Sequence, residues 1–354
     1  MSRFFSEKYS ALKPYVPGEQ PRDRRYIKLN TNESPFPPSP KAQAYAAQAA
    51  QNLQLYSDPE CTAIKAKMAQ MYGLEPAQVF FGNGSDEVLY LAFLCFCDGK
   101  TPAVFPDISY GFYKVFAQFL GIEYRQIPLC DDFTIDITPY CNCGGTVFIA
   151  NPNAPTGQLL SLSQIEQILV TNPNNVVVID EAYIDFGGES AVSLIEKYDN
   201  LLVTQTFSKS RSLAGGRLGM GFGNPELIRD LRTAKFSINP YNVNAMTMAA
   251  GLGALEDEEY TRENCKTIME NREFTTAQLR QMGFTVLDSA TNFVLAGHSA
   301  VSGADLYQGL KEAGILVRYF DTPRLAPYVR ITIGTRQEME TLLTATAKIL
   351  EGRK

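Results

Sequence analysis

The sequence predicts an α/β protein: a large domain with a mostly parallel seven-stranded sheet between helices, and a smaller α+β domain formed by both chain ends. Three observations predict it. Short, wholly apolar runs bounded by turn residues alternate with helical patterns, as strands buried on both faces do. Glycine, asparagine and serine clusters follow several of these runs and open the next helical pattern. The 354-residue length is about that of two domains.

In order, the apolar runs are Val79–Gly82, Ala103–Phe105, Glu123–Ile127, Thr146–Ala150, Val176–Asp180, Leu201–Thr206 and Leu218–Phe222. Helical patterns cover Asp86–Phe96, Tyr110–Leu120, Ser163–Leu169 and Pro225–Thr233. Ser34–Pro40 holds too many prolines for helix or central strand and reads as a linker. An acidic helical pattern near Glu256–Tyr260 opens a new section. Strands Phe284–Leu287, Asn292–Leu295 and Val329–Ile333 follow, with helices Ala304–Ala313 and Arg336–Leu350. The expected division is therefore an arm at 1–40, a large domain at 41–258 and a small domain at 259–354.

Composition narrows the function. A net charge of −6 argues against broad electrostatic binding to nucleic acid or anionic membranes. No run is long and apolar enough to span a bilayer, and the first residues, MSRFFSEKYS, lack the apolar core of a signal peptide. The seven cysteines include two C-x-C pairs, Cys95/Cys97 and Cys141/Cys143, rather than zinc spacings. With His298 as the single histidine, no metal site is expected. Free thiols and a cytoplasmic location follow as expectations.

The chemistry-bearing residues gather where strands end, the edge at which open α/β sheets bind ligands. Lys209 follows the apolar run LLVTQTF and carries an amine able to form a Schiff base with an aldehyde cofactor. Thr206, Ser208 and Arg217, in the order T-F-S-K-x₇-R, offer two hydroxyls and a bidentate fork to a phosphate. Taken alone, Lys209 is also what a surface lysine looks like. Asp180 ends the run VVVID, where a carboxylate is costly unless paired; it suits a pyridine nitrogen, or a helix cap. Tyr183 lies three residues beyond it. Gly84, Ser85 and Asp86 form a glycine-rich turn opening a helix, an anion-binding arrangement or an ordinary βα turn. N-P-N-A-P-T-G at 151–157 makes a rigid loop at the same edge, and Tyr110 offers a ring that could stack on a planar ligand or serve as core.

The set resembles the class I/II aminotransferases, which are fold-type I pyridoxal-phosphate enzymes. The likeness spans nearly the whole chain. It rests on Lys28-Leu-Asn-Thr-Asn-Glu-Ser-Pro35, Tyr56-Ser-Asp-Pro59, Gly84-Ser-Asp-Glu87, the N-P-N-A-P-T-G loop, Asp180-Glu-Ala-Tyr183, Thr206-Phe-Ser-Lys209, Arg217 and Tyr328-Val-Arg-Ile-Thr-Ile-Gly334. The first and last of these are similar to the branch that exchanges an amino group between histidinol phosphate and glutamate or 2-oxoglutarate.

The resemblance implies that Lys209 carries pyridoxal 5′-phosphate and shuttles the proton between Cα and C4′. Asp180 would pair with the pyridine nitrogen, Tyr183 would bond the phenolic oxygen, and Tyr110 would stack on the ring. Gly84, Ser85, Asp86, Thr206, Ser208 and Arg217 would hold the phosphate. Tyr56 would reach the neighbouring subunit's cofactor, which implies a homodimer. Arg330 would grip the substrate anion, with Arg318, Asn32 and Tyr15 (in Lys13-Pro-Tyr15) also on the substrate. The family has asparagine before the proline of P-T-G, where this chain has Ala154; Asn153 is the expected substitute, with Asn151 or Tyr183 alone as the other possibilities. Alternatives within the fold are aromatic amino-acid transamination and threonine-phosphate decarboxylation. A cofactor-binding regulatory protein is disfavoured, because the arm ahead of the linker has no room for a DNA-binding module.

Overall fold

The structure is a computed structural model and describes residues 2–9, 12 and 15–352. Lys13 and Pro14 of the Lys13-Pro-Tyr15 segment lie outside the described residues.

The chain enters through a two-residue strand β1 (Ile27–Lys28) and two helices, α1 (Pro40–Ala49) and α2 (Thr62–Tyr72). Sequence reasoning saw neither helix. In α1 the polar and small residues alternate without an apolar stripe, and Pro40, assigned to the linker, is its first residue. Proline is tolerated there because the first helical N–H has no partner anyway, and Ser39 caps the turn by accepting from the Ala42 N–H.

The large sheet then builds up as β2 (Val79–Gly82), α3 (Ser85–Phe96), β3 (Ala103–Pro106), α4 (Phe112–Leu120), β4 (Tyr124–Ile127), β5 (Thr146–Ala150), α5 (Leu162–Thr171), β6 (Val177–Asp180), β7 (Leu201–Thr206) and β8 (Gly219–Gly223). Every residue of β5, β6 and β7 is buried, and each carries an apolar run, with polar residues Asp180 where β6 ends and Thr204, Gln205 and Thr206 where β7 ends. Strand order is β2-β8-β7-β6-β5-β3-β4. Only β8 runs against its neighbours, β2 and β7. The sheet is therefore mostly parallel and seven-stranded, as expected.

Helices α6 (Pro225–Ile238), α7 (Ala245–Glu256) and α8 (Glu258–Gln281) lead to the second layer. It comprises β9 (Thr285–Val286), β10 (Phe293–Gly297), α9 (Gly303–Glu312), β11 (Ile315–Leu316), β12 (Arg318–Tyr319), β13 (Tyr328–Thr332) and α10 (Arg336–Glu351). A four-stranded antiparallel sheet, β12-β13-β10-β9, packs its apolar face on α8, α9 and α10. β1 pairs in parallel with β11, so the chain's first strand closes the layer made by its last residues. Leu29 and Ile27 join that core.

Candidate active site

In a parallel sheet the strand ends coincide, so Gly82, Pro106, Ala150, Asp180 and Thr206 end β2, β3, β5, β6 and β7 at one edge. Because β8 is antiparallel, its beginning lies where the others finish. Arg217 thus reaches this edge from the amino end of a strand, unlike the carboxyl-end residues around it.

Two connected hollows occupy the edge. The inner one, about 270 Å³, is lined by Ser85, Asp86, Tyr110, Asp180, Tyr183, Thr206, Ser208, Lys209 and Arg217, with Thr31, Glu33 and Ala154 among the rest. At its floor Asp180 is 4% exposed. Its Oδ2 accepts from the Tyr113 hydroxyl at 3.0 Å and its Oδ1 from the Thr204 hydroxyl at 3.1 Å. Burial pushes the carboxyl up to about 6, against the pull of those hydroxyls and the Ala182 N–H. A buried carboxylate with only neutral partners favours any cation that enters beside it.

At the other end of the hollow, Arg217 Nη2 meets Asp86 Oδ2 at 2.9 Å and Nη1 meets the Ser208 hydroxyl at 3.4 Å. The Thr206 and Ser208 hydroxyls lie 3.0 Å apart. Helix α3 opens here with its first amides free and Gly84, at φ 80°, as its cap. A Cβ on Gly84 would sit 2.4 Å from Arg217 Nη2, and one on Gly219 would sit 2.1 Å from the Ser85 nitrogen. Both glycines are what let helix, strand and guanidinium converge. Hydroxyls, a guanidinium and helix amides form a cradle for a phosphate, with an acid at the far end and a lysine between. That donor set fits pyridoxal phosphate.

Lys209 Nζ reaches the Thr31 carbonyl at 3.4 Å and lies 5.8 Å from the centre of the Tyr183 ring. Tyr183's hydroxyl accepts from Asn32 Nδ2 at 2.9 Å. Tyr110 lines both hollows and donates to Asp86 Oδ1 at 2.5 Å. Burial and the Asp86 carboxylate raise its pKa well above the usual tyrosine value.

The outer cleft, about 760 Å³, opens between the two layers and includes Tyr15, Asn32, Arg318 and Arg330 with Lys209 at its base. Arg330 donates to the Asn30 carbonyl at 3.1 Å, and its buried Nε has no partner. Burial, with neighbouring Arg318, lowers its pKa. Arg318 donates to the Val16 carbonyl at 3.1 Å and the Pro17 carbonyl at 3.3 Å. The Tyr15 ring packs on Phe112 at 4.4 Å.

Two expected residues are elsewhere. Asn153 is fully buried and its amide is consumed locally: Nδ2 donates to the Ile108 carbonyl and Thr156 hydroxyl, and Oδ1 accepts from Ser109. It lines neither hollow, so it does not take the place vacated at Ala154, whose methyl does line both. Asn151 is likewise spent on Leu160. Backbone groups flanking the loop, at Ile108 and Leu160, claim the two amides. Tyr56 is 84% exposed and stacks on Tyr241 at 4.5 Å, away from its own chain's hollows.

Sequence reasoning missed Tyr113, Thr204 and Thr332. Tyr113 shares a helix start with Tyr110, but its partner Asp180 is distant in sequence, and nothing local marks the pairing.

Fold and site together define a class of protein. The chain belongs to the class I and II aminotransferases: the model of that family, described as "Aminotransferase class I and II", matches residues 24–345. More narrowly, it is 51% identical to the histidinol-phosphate aminotransferase of Marinomonas sp. (strain MWYL1), covering 99% of this chain and all of that one. It is 48% identical to the histidinol-phosphate aminotransferase of Brachyspira hyodysenteriae, covering 96% and 97%. The fold matches the crystal structure of histidinol-phosphate aminotransferase from Sinorhizobium meliloti in complex with pyridoxal-5′-phosphate, with a TM-score of 0.89, 24% identity and 99% of each chain covered.

Proposed function

We infer that this protein is a pyridoxal-phosphate-dependent transaminase that passes the amino group of L-histidinol phosphate to 2-oxoglutarate. The products are 3-(imidazol-4-yl)-2-oxopropyl phosphate and L-glutamate, a step in histidine biosynthesis. The observation that carries the reading is a cleft with Lys209 at its base and two arginines, Arg318 and Arg330, on its wall. Near-full-length relatives of that name support it.

Bound pyridoxal phosphate supplies an aldehyde for the substrate's amine and a protonated ring that accepts the electrons of a broken Cα–H bond. Lys209 anchors the cofactor and its amine lifts the proton from the substrate's Cα. Asp180 keeps the ring nitrogen protonated. Arg217, Ser208, Thr206 and the Gly84–Asp86 turn hold the phosphate. Asp86 also fixes Arg217 through their ion pair and the Tyr110 hydroxyl through its other oxygen. Arg330 grips the substrate anion, its fork suiting carboxylate and phosphate alike; Arg318, Tyr15 and Asn32 complete that wall. Tyr183 serves the cofactor's phenolic oxygen.

The enzyme works as a homodimer in which Tyr56 of one subunit reaches the other's cofactor. The exposed Tyr56–Tyr241 stack, with Leu53 at 51% and Leu55 at 66% exposed, supports this, since such clustered apolar surface marks an interface. We place it in the cytoplasm: its seven cysteines are unpaired, and among the described residues no helix is long and apolar enough to cross a membrane.

The test is a half-reaction screen. The purified protein should show a visible-violet band that Lys209→Ala abolishes and that histidinol phosphate bleaches faster than phenylalanine or threonine phosphate. A colourless protein that takes up no added cofactor would end the account, and a preference for phenylalanine would move it to the aromatic aminotransferases.

A further inference from the structure

Thr332, Asn32 and Tyr183 form a chain of hydrogen bonds whose direction is fixed. The Thr332 hydroxyl accepts from the Asn32 backbone N–H at 3.0 Å and donates to Asn32 Oδ1 at 3.0 Å. Asn32 Nδ2 then donates to the Tyr183 hydroxyl at 2.9 Å. Turning the amide round would bring two donors onto the Thr332 oxygen. Its hydroxyl proton, on a residue 2% exposed, would then lack an acceptor. Asn32 itself is 2% exposed, and its carbonyl accepts from Asn292 Nδ2 at 3.0 Å. It sits at φ 56°, a left-handed conformation that asparagine tolerates better than most residues. The group is therefore locked in place and in polarity.

A tyrosine hydroxyl has one proton. Once it accepts from Asn32, that proton is free to point into the hollow that Tyr183 lines with Lys209. We propose that Thr332 and Asn32 are positioning residues that aim the Tyr183 proton at the cofactor's phenolic oxygen. The proposal rests on the cofactor reading given above. Ala154 offers no donor on this wall, and the amides of Asn151 and Asn153 are spent on Leu160 and on Ile108, Ser109 and Thr156, which leaves the aimed tyrosine to supply it. The relay also crosses the layers. Thr332 lies on β13 two residues beyond Arg330, and Arg330 holds the carbonyl of Asn30, so one strand and one short segment set both substrate grip and proton direction.

The test is the pH titration of the visible band in the cofactor-loaded protein, with Thr332→Val, Thr332→Ser, Asn32→Asp and Tyr183→Phe. A hydroxyl donor favours the form with the more negative phenolic oxygen, so losing it raises the titration midpoint. Tyr183→Phe should raise it by about 1 to 2 pH units, the size of one hydrogen bond to a charged oxygen. Asn32→Asp makes residue 32 an acceptor that draws the tyrosine proton away, and should raise the midpoint similarly. Thr332→Val should raise it in part, Thr332→Ser should restore it, and Thr332→Val in the Tyr183→Phe background should add nothing. A residue that only braced the segment would alter KM through Arg330 and leave the midpoint alone. If Tyr183→Phe moves the midpoint while Thr332→Val and Asn32→Asp do not, the relay is wrong. If Tyr183→Phe does not move it, the placement of Tyr183 on the cofactor is wrong.

Discussion

Arg318 and Arg330 lie directly opposite each other across β12 and β13, and both guanidinium groups rest on the ring of Phe320, at 5.4 and 5.5 Å from its centre. Like charges at opposed positions repel. Among the described residues neither forms an ion pair with a carboxylate, though Glu19 is near enough to Arg318 to be held low by it: Arg318 donates to backbone carbonyls, and Arg330 keeps an unbonded Nε. A pair so arranged is stabilised by an anion able to take donors from both, and a phosphate ester does this better than a carboxylate.

Arg318→Ala should therefore weaken histidinol phosphate far more than glutamate. Loss of one charge-assisted contact corresponds to about a 10- to 150-fold drop in kcat/KM. Arg330→Ala should damage both half-reactions. Stopped-flow rates with each substrate decide the matter, and equal losses on Arg318→Ala contradict the selective role.

Cofactor binding should depend on pH through Asp180. Burial raises this carboxyl to about 6, so in the cofactor-free protein it loses its charge as pH falls through that value. Only the charged form attracts a protonated ring, and the dissociation constant should climb on the acid side. Asp180→Asn should weaken binding at neutral pH by about 10- to 100-fold and flatten the acid-side dependence. Fluorescence titration of added cofactor measures both; a profile in the variant as steep as that of the parent would assign the pH effect to another group.

Shared sites can be tested by mixing. Tyr56→Phe and Lys209→Ala subunits, each impaired alone, should regain activity as heterodimers, because one of the two composite sites then carries neither lesion. Heterodimers isolated by tandem tags and found inactive would show that each site is built within one chain.

Glu181, beside Asp180 but facing away from the hollow, gives a stability prediction. It is fully enclosed, bonded to the Ser190 hydroxyl, the Ala191 N–H and Gln205, and burial raises it from 4.5 to about 7. An acid with a raised folded-state pKa holds its proton longer in the native chain. Its stabilising contribution is complete below the unfolded value and is lost as pH rises through about 4.5 to 7. The unfolding free energy of the parent relative to Glu181→Gln should fall by about 3 kcal/mol across that window. Urea denaturation at several pH values reads it, and a difference independent of pH would sink the prediction.

The large sheet was legible because its central strands are buried on both faces and carry apolar runs that turn polar only at the strand ends. Strands β1, β11 and β12 were not, since two residues show no periodicity and their pairing depends on segments far away. Lys209, Asp180 and Arg217 were legible because each is a charged residue set against an apolar run or a glycine turn. Tyr113 and Thr332 look like ordinary core and strand residues until the fold brings them to Asp180 and Asn32. Asn153 went the other way: its residue type suited the role, but hydrogen bonds to Ile108, Ser109 and Thr156 occupy its amide.

The pairing of Ile27 with Ile315 and Lys28 with Leu316 fixes an order of assembly during synthesis. The seven-stranded sheet is complete in sequence once Gly223 has been made, and it can collapse on its own apolar residues. The β1 segment cannot pair until Leu316 has left the ribosome, because among the described residues its one strand partner is β11. Asn30, Thr31 and Asn32, which wall the cleft, begin two residues beyond the end of β1. A nascent chain thus builds the cofactor's floor early and closes the substrate's wall only after β11 has been made.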